Sequence, residues 1–303
     1  MACSARHRLT TAEGKARHRY PLAKLCGTAA SLALLAGFAG PATAAPTLLS
    51  SASTDLIVNG GEAGNGLVPY DGYFRYTDRA AGEETTWSID PMLRFANGST
   101  AVLSAGGASG FGSSSLVSGG AESSAVSGLV STTARTELIG SNARTTFTFT
   151  AAADTRLDGT SFVFYAENDL FGFADDTAAF QGSIAGGNLA LFQYDSSAGG
   201  LTLRISSESS GGATLSRFGS GLWTGFGTAL EAGDLDVLSS DGSNFVSLGD
   251  LGLALSFSLS GSSATVVINY NTQPPPPTVP EPSSVALVGL ALAVATRRFK
   301  RQG

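Results

Sequence analysis

Four carboxylates crowd into one short stretch: Glu167, Asp169, Asp175 and Asp176. They follow an apolar run at 161–166, and Gly172 lies among them. Carboxylate and carbonyl oxygens grouped at a strand end are the hard ligands that Ca²⁺ takes. The spacing departs from the EF-hand loop. A solvated acidic loop, with an aspartate capping the segment from Thr177, uses the same residues. Two more acidic loops hold Asp154 and Asp158 around Arg156, and Glu231, Asp234 and Asp236. Trp223 lies among glycines, in Gly221-Leu222-Trp223-Thr224-Gly225, and Trp87 follows Glu83 and Glu84. Such flat aromatic faces suit stacking on a sugar ring, although burial in a core is the usual fate of an aromatic in a strand.

Composition removes most other chemistry. His7, His18, Cys3, Cys26, Lys15 and Lys24 all lie near the N-terminus, and Lys300 lies near the C-terminus. Residues 45–279 contain no Cys, His or Lys. That excludes a Ser-His-Asp triad, a Cys nucleophile, a Cys/His zinc site and a Walker A lysine in this part. Carboxylate chemistry remains. A glycan hydrolase of that kind needs two carboxylates facing across a cleft, and no spacing here pairs any. The expectation is therefore a domain that is not an enzyme, with Ca²⁺ as its one candidate cofactor. The same residues carry 8 arginines and 22 carboxylates, a net charge near −14, where the full chain has −6. Such a surface repels nucleic acid, whose recognition needs a basic footprint.

Strands position these groups. In 142–150, Phe147 and Phe149 fall on one face and Thr146, Thr148 and Thr150 on the other, the alternation of a half-buried strand. Similar runs occur at 161–166, 189–194, 200–205, 253–259 and 264–270, broken by Gly, Ser, Asp and Asn turns. Earlier strands are expected near 55–58, 72–76, 85–89, 101–104 and 126–138. The Gly- and Ser-rich segment 105–128 reads as a long loop or weak edge strands. A 3.6-residue apolar period is not evident, and only 177–180 suggests a short helix. The predicted fold is all-β: an antiparallel β-sandwich, jelly-roll-like, with a β-helix as the alternative. No fixed repeat, as a solenoid displays, supports the latter.

The ends are of another kind. Residues 1–44 run from basic (Arg6 to Lys24) through apolar to Ala42-Thr43-Ala44, the order of a leader and secretory signal peptide. Residues 45–272 form the expected secreted domain. The prolines Pro274, Pro275, Pro276 and Pro277 dominate a stiff spacer at 273–278. Then come Val279, Pro280 and Glu281, a run of 15 uncharged residues that opens with Pro282, and Arg297 and Arg298 at the head of a basic tip. As a helix that run covers roughly 22 Å, against a hydrocarbon core of about 30 Å. Flanking arginines extend a short membrane helix by snorkelling, and their charge places the preceding domain outside the cytoplasm.

This C-terminal pattern resembles a PEP-CTERM sorting signal. The resemblance is confined to residues 279–303 and implies an exosortase as processing partner. It also implies passage across an inner membrane, with the membrane holding the chain before processing. The expected destination is the cell envelope, outer surface or extracellular matrix. Exopolysaccharide or biofilm is the associated setting. A structural or adhesive role follows as the expectation, with a calcium-assisted carbohydrate-binding module and a carboxylate-based glycan hydrolase as alternatives.

Overall fold

The computed structural model describes residues 47–58, 73–79, 83–84, 88–104, 110–111, 114–168, 170, 176–195 and 202–273. The chain begins with β1 (Thr47–Ser50), β2 (Thr54–Val58), β3 (Phe74–Asp78), β4 (Glu83–Glu84), β5 (Ser88–Arg94) and β6 (Thr100–Val102). It continues with β7 (Ser115–Val117), β8 (Gly120–Ser127), β9 (Val130–Ile139), β10 (Asn142–Ala151), β11 (Thr160–Glu167) and β12 (Asp176–Gln181). Next are β13 (Ala190–Asp195), β14 (Thr202–Ser210), β15 (Ala213–Leu222), the helix α1 (Trp223–Glu231), β16 (Leu251–Leu259) and β17 (Ser263–Gln273).

Three sheets result, antiparallel at each described pairing. The largest has the order β12-β13-β14-β17-β10-β9-β8-β7, the second β15-β16-β11-β5-β6, and the smallest β1-β2-β3-β4. The alternation of β10 does what period two requires: Phe147 and Phe149 are fully buried, with Thr146, Thr148 and Thr150 outward. Their rings meet Phe162 of β11 at centroid distances of 4.8 Å, which clamps the two larger sheets face to face. Tyr73 and Tyr76 bring the smallest sheet onto the same core, against Phe147 and Tyr270. Their hydroxyls find buried partners there: Tyr73 shares a hydrogen bond with Thr136 at 3.1 Å, and Tyr76 with Thr272 at 3.2 Å. On the outer face of the largest sheet a row of hydroxyls crosses five strands in register, Ser124, Thr133, Thr148, Thr265 and Ser210.

The all-β sandwich is as expected, and the antiparallel pairing leaves no place for a β-helix. Two local expectations are corrected. Residues 177–180 are not helical; they form β12, which pairs with β13 and buries Ala178. The second correction is α1, a helix of nine residues where none was expected. Segment 105–128 supplies the edge strand β7 and its neighbour β8, and 126–138 is a hairpin rather than one strand, turning at Gly128 with φ 59°. No helix among the described residues is long and apolar enough to cross a membrane. The leader at 1–44 and the run expected to enter the membrane lie outside the described residues.

Candidate functional site

α1 explains why β11 and β16 read as nearly unbroken apolar runs. One face of each strand looks into the sandwich. The other carries Val163, Tyr165 and Ala254, which join Met92 of β5 beneath Phe226 and Leu230 of α1. Tyr165 meets Phe226 edge-on, with centroids 6.0 Å apart. Two glycines make room for its ring. A Cβ on Gly252 would lie 2.4 Å from the ring, and one on Gly227 would lie 3.0 Å from the hydroxyl oxygen. The hydroxyl is thus lodged between the backbones of α1 and β16.

Carboxylates lie on the neighbouring elements. Asp90 stands opposite Tyr165 in the β5–β11 register, and Glu167 follows two residues along β11 on the same outward face. Glu231 ends α1, and Asp250 directly precedes β16. Burial, reinforced by Glu167, Asp90, Asp250 and Glu231, holds the Tyr165 phenol far above its ordinary pKa, so it stays neutral. Trp223 opens α1. No side chain caps the helix, and the Trp223 backbone N–H donates instead to the Asp250 carbonyl at 3.1 Å. The Trp223 indole N–H donates to the Asp250 carboxylate, which partly offsets the upward pKa shift that burial gives this acid. Trp223 is 42% exposed.

The residues singled out from the sequence separate. Glu167 faces outward beside Tyr165. Asp176 opens β12 on the inward face of the largest sheet, 1% exposed, where the Gln193 amide donates to it at 2.6 Å. Gln193 also accepts from Asn168 at 2.9 Å, and Tyr270 donates to Asn168 at 2.8 Å. This buried network ties β11, β13 and β17 together and was not foreseen. Asp169, Asp175 and Trp87 lie outside the described residues, as do Val279, Pro280, Glu281, Pro282, Arg297 and Arg298. Of the other acidic loops, Asp158 pairs with Arg156, which holds its pKa down, and accepts from the Gly261 N–H at 3.0 Å. Asp234 caps a 3₁₀ turn at Leu235–Val237, and Asp236 pairs with Arg217 at 3.0 Å. No group of three or more Asp, Glu, His or Cys among the described residues is placed to hold a metal ion.

The fold and surface define an all-β sandwich domain. Its address is given by the C-terminus: residues 278–301 match the family model of the PEP-CTERM protein-sorting motif. The chain therefore carries that signal, with an exosortase as processing partner, and is exported across the inner membrane to the cell surface. No curated protein matches the sequence. Among solved structures, a bacterial glucoamylase complexed with acarbose superposes with a TM-score of 0.50 at 9% identity. The match covers 79% of this chain and 34% of the glucoamylase, so the chain spans about a third of that protein's length. At that identity the likeness concerns the fold alone.

Proposed function

We propose that the exported sandwich is a structural or adhesive domain of the envelope, outer surface or extracellular matrix, with no catalytic site of its own. The way the domain joins its address supports this reading. β17 leads directly into the proline-rich segment and the sorting motif, and it is a central strand, hydrogen-bonded to β10 and β14. A pull from the C-terminal side therefore enters the middle of the largest sheet, where two ladders must shear together before the strand detaches. An edge strand would peel away with one. The hydroxyl row on the same sheet offers a polar, hydrogen-bonding face to a hydrated matrix, and exopolysaccharide is the partner such a face suits. Deleting residues 279–303 should release the domain from the cell surface, read by fractionation and immunoblot. Unchanged retention would remove the sorting motif from the account.

A second reading, a carbohydrate-binding module, is favoured by Trp223. It is partly exposed and stands beside the carboxylate of Asp250. Calcium assistance belongs to this reading, as does exopolysaccharide as the ligand. The glycan hydrolase reading would require two carboxylates to meet across a groove at about 5 to 9 Å.

A further inference from the structure

Among the described residues ten large apolar side chains are exposed, and four of them gather at one place: Leu222, Trp223, Val246 and Leu248. They lie on two segments that run side by side. The Val246 N–H donates to the Ser220 carbonyl at 3.2 Å, and the Ser220 hydroxyl donates to the Val246 carbonyl. The Trp223 N–H donates to the Asp250 carbonyl. Between these contacts, a Cβ on Gly249 would lie 2.8 Å from a methyl carbon of Leu222. Single apolar residues on a surface are ordinary, whereas a gathered set marks a contact surface.

Strand register puts this patch at the end of the sandwich where the chain leaves for its sorting motif. A turn at 260–262 joins β16 to β17, so the approach to β16 and the last residue of β17 share one end. One row of the largest sheet agrees. Gln273 stands opposite Thr202, Thr202 opposite Tyr194, Tyr194 opposite Thr177, and Thr177 bridges to Leu248. Four strand spacings, roughly 19 Å, therefore separate Leu248 from the exit at Gln273. Eight residues, 274–281, lead from that exit to the run expected to enter the membrane. They can span at most roughly 28 Å, which keeps the patch within reach of the bilayer.

We infer that Leu222, Trp223, Val246 and Leu248 dock the folded domain onto the lipid surface while the sorting segment is still attached. The inference rests on the sorting motif and is independent of the structural or adhesive reading. Tryptophan settles at the headgroup level of a bilayer, and leucine and valine enter just below it. Aliphatic side chains offer a sugar no hydrogen bond, and a lipid surface asks for none. The charge near −14 of residues 45–279 opposes anionic lipid, so the fitting surface is zwitterionic. A short tether holds the patch at a high effective concentration over the membrane, so a weak contact suffices. Docking adds a second hold to an apolar run that is short for a bilayer, and it keeps Pro280 and Glu281 beside the membrane for processing.

The test uses the purified full chain reconstituted in phosphatidylcholine vesicles, with and without lipids brominated along the acyl chains. Trp87→Phe leaves Trp223 as the one tryptophan. Flotation reads the hold of the C-terminal segment, and bromolipid quenching reads the patch. Trp223 emission should shift to the blue and be quenched. Leu222→Ser with Leu248→Ser should abolish the quenching while the chain still floats and its melting temperature stays in place. Unquenched Trp223 in a floating chain overturns the proposal, as does quenching that survives both serines. A blue shift without quenching would assign the patch to a second copy of the chain and also overturn it.

Discussion

Gly252 and Gly227 hold their places because Tyr165 occupies the space a side chain would need. Adding a methyl at Gly252 drives it to 2.4 Å from the ring, in a layer closed by α1. Overpacking of this kind costs about 1–3 kcal/mol. Gly252→Ala should lower the unfolding free energy by that amount, seen as a lower urea midpoint with an unchanged slope; a parental midpoint would show that Tyr165 has room to move. Asp250 makes a prediction of opposite sign. Its folded pKa is raised from 3.8, mainly by burial, so the folded state holds the proton more tightly than the unfolded chain. The associated stability is complete below the ordinary carboxylate range and is lost as pH rises through the raised pKa. Asp250→Asn, which cannot ionise, should therefore stabilise the domain near pH 7 relative to the parent and lose that advantage toward pH 3. Thermal melts across pH decide it; a gain that does not change with pH would assign the effect to something other than ionisation. The exposure of Trp223 was legible from its glycine-rich surroundings. Its tie to Asp250 was not, because nothing local links two residues so far apart in the chain.

At the scale of elements, α1 is the instructive case. Its buried positions 226, 227 and 230 follow helical spacing, but one of them is Gly227. Glycine costs about 1 kcal/mol in a helix interior, and Gly225 adds a second. With no side-chain cap either, the segment reads as a loop. It is helical because Phe226 and Leu230 cover the outer side of β11 and β16. Helix stability in proteins comes mostly from such docking. Phe226→Ala should cost about 3–5 kcal/mol, the range for truncating a buried aromatic. It should also raise hydrogen exchange at 223–231, while protection in β10 and β17 falls only with global stability. Equal loss of protection everywhere would mean that α1 does not open separately. β12 errs the other way. Its small residues resemble a helix, and the cross-strand partner β13 decides for strand.

For the whole molecule, charge and packing set different behaviour. The sandwich is closed by an aromatic interior, and the surplus of carboxylates lies mostly outside it. If those carboxylates assemble a specific calcium site, Ca²⁺ must stabilise the native state by mass action. On the carbohydrate-module reading, millimolar Ca²⁺ should raise the melting temperature of the full chain and EDTA should reverse it. Equal melting temperatures in Ca²⁺ and EDTA would leave glycan binding, if any, to the side chains alone.

Three properties were determined by the sequence itself: export and sorting, the strand-rich sandwich class, and the exclusion of Cys, His and Lys chemistry from residues 45–279. Each is local or compositional. A signal is read as a linear segment, alternation is visible along one strand, and an absent residue type is absent in any fold. Tertiary structure alone decided the rest. It sent Glu167 and Asp176 to different sheets, although only a short loop separates them. It covered β11 with a helix, and it packed Tyr165 beneath Phe226 and Leu230 of α1. These are pairings between distant parts of the chain, fixed by antiparallel register and by which face of each strand is covered.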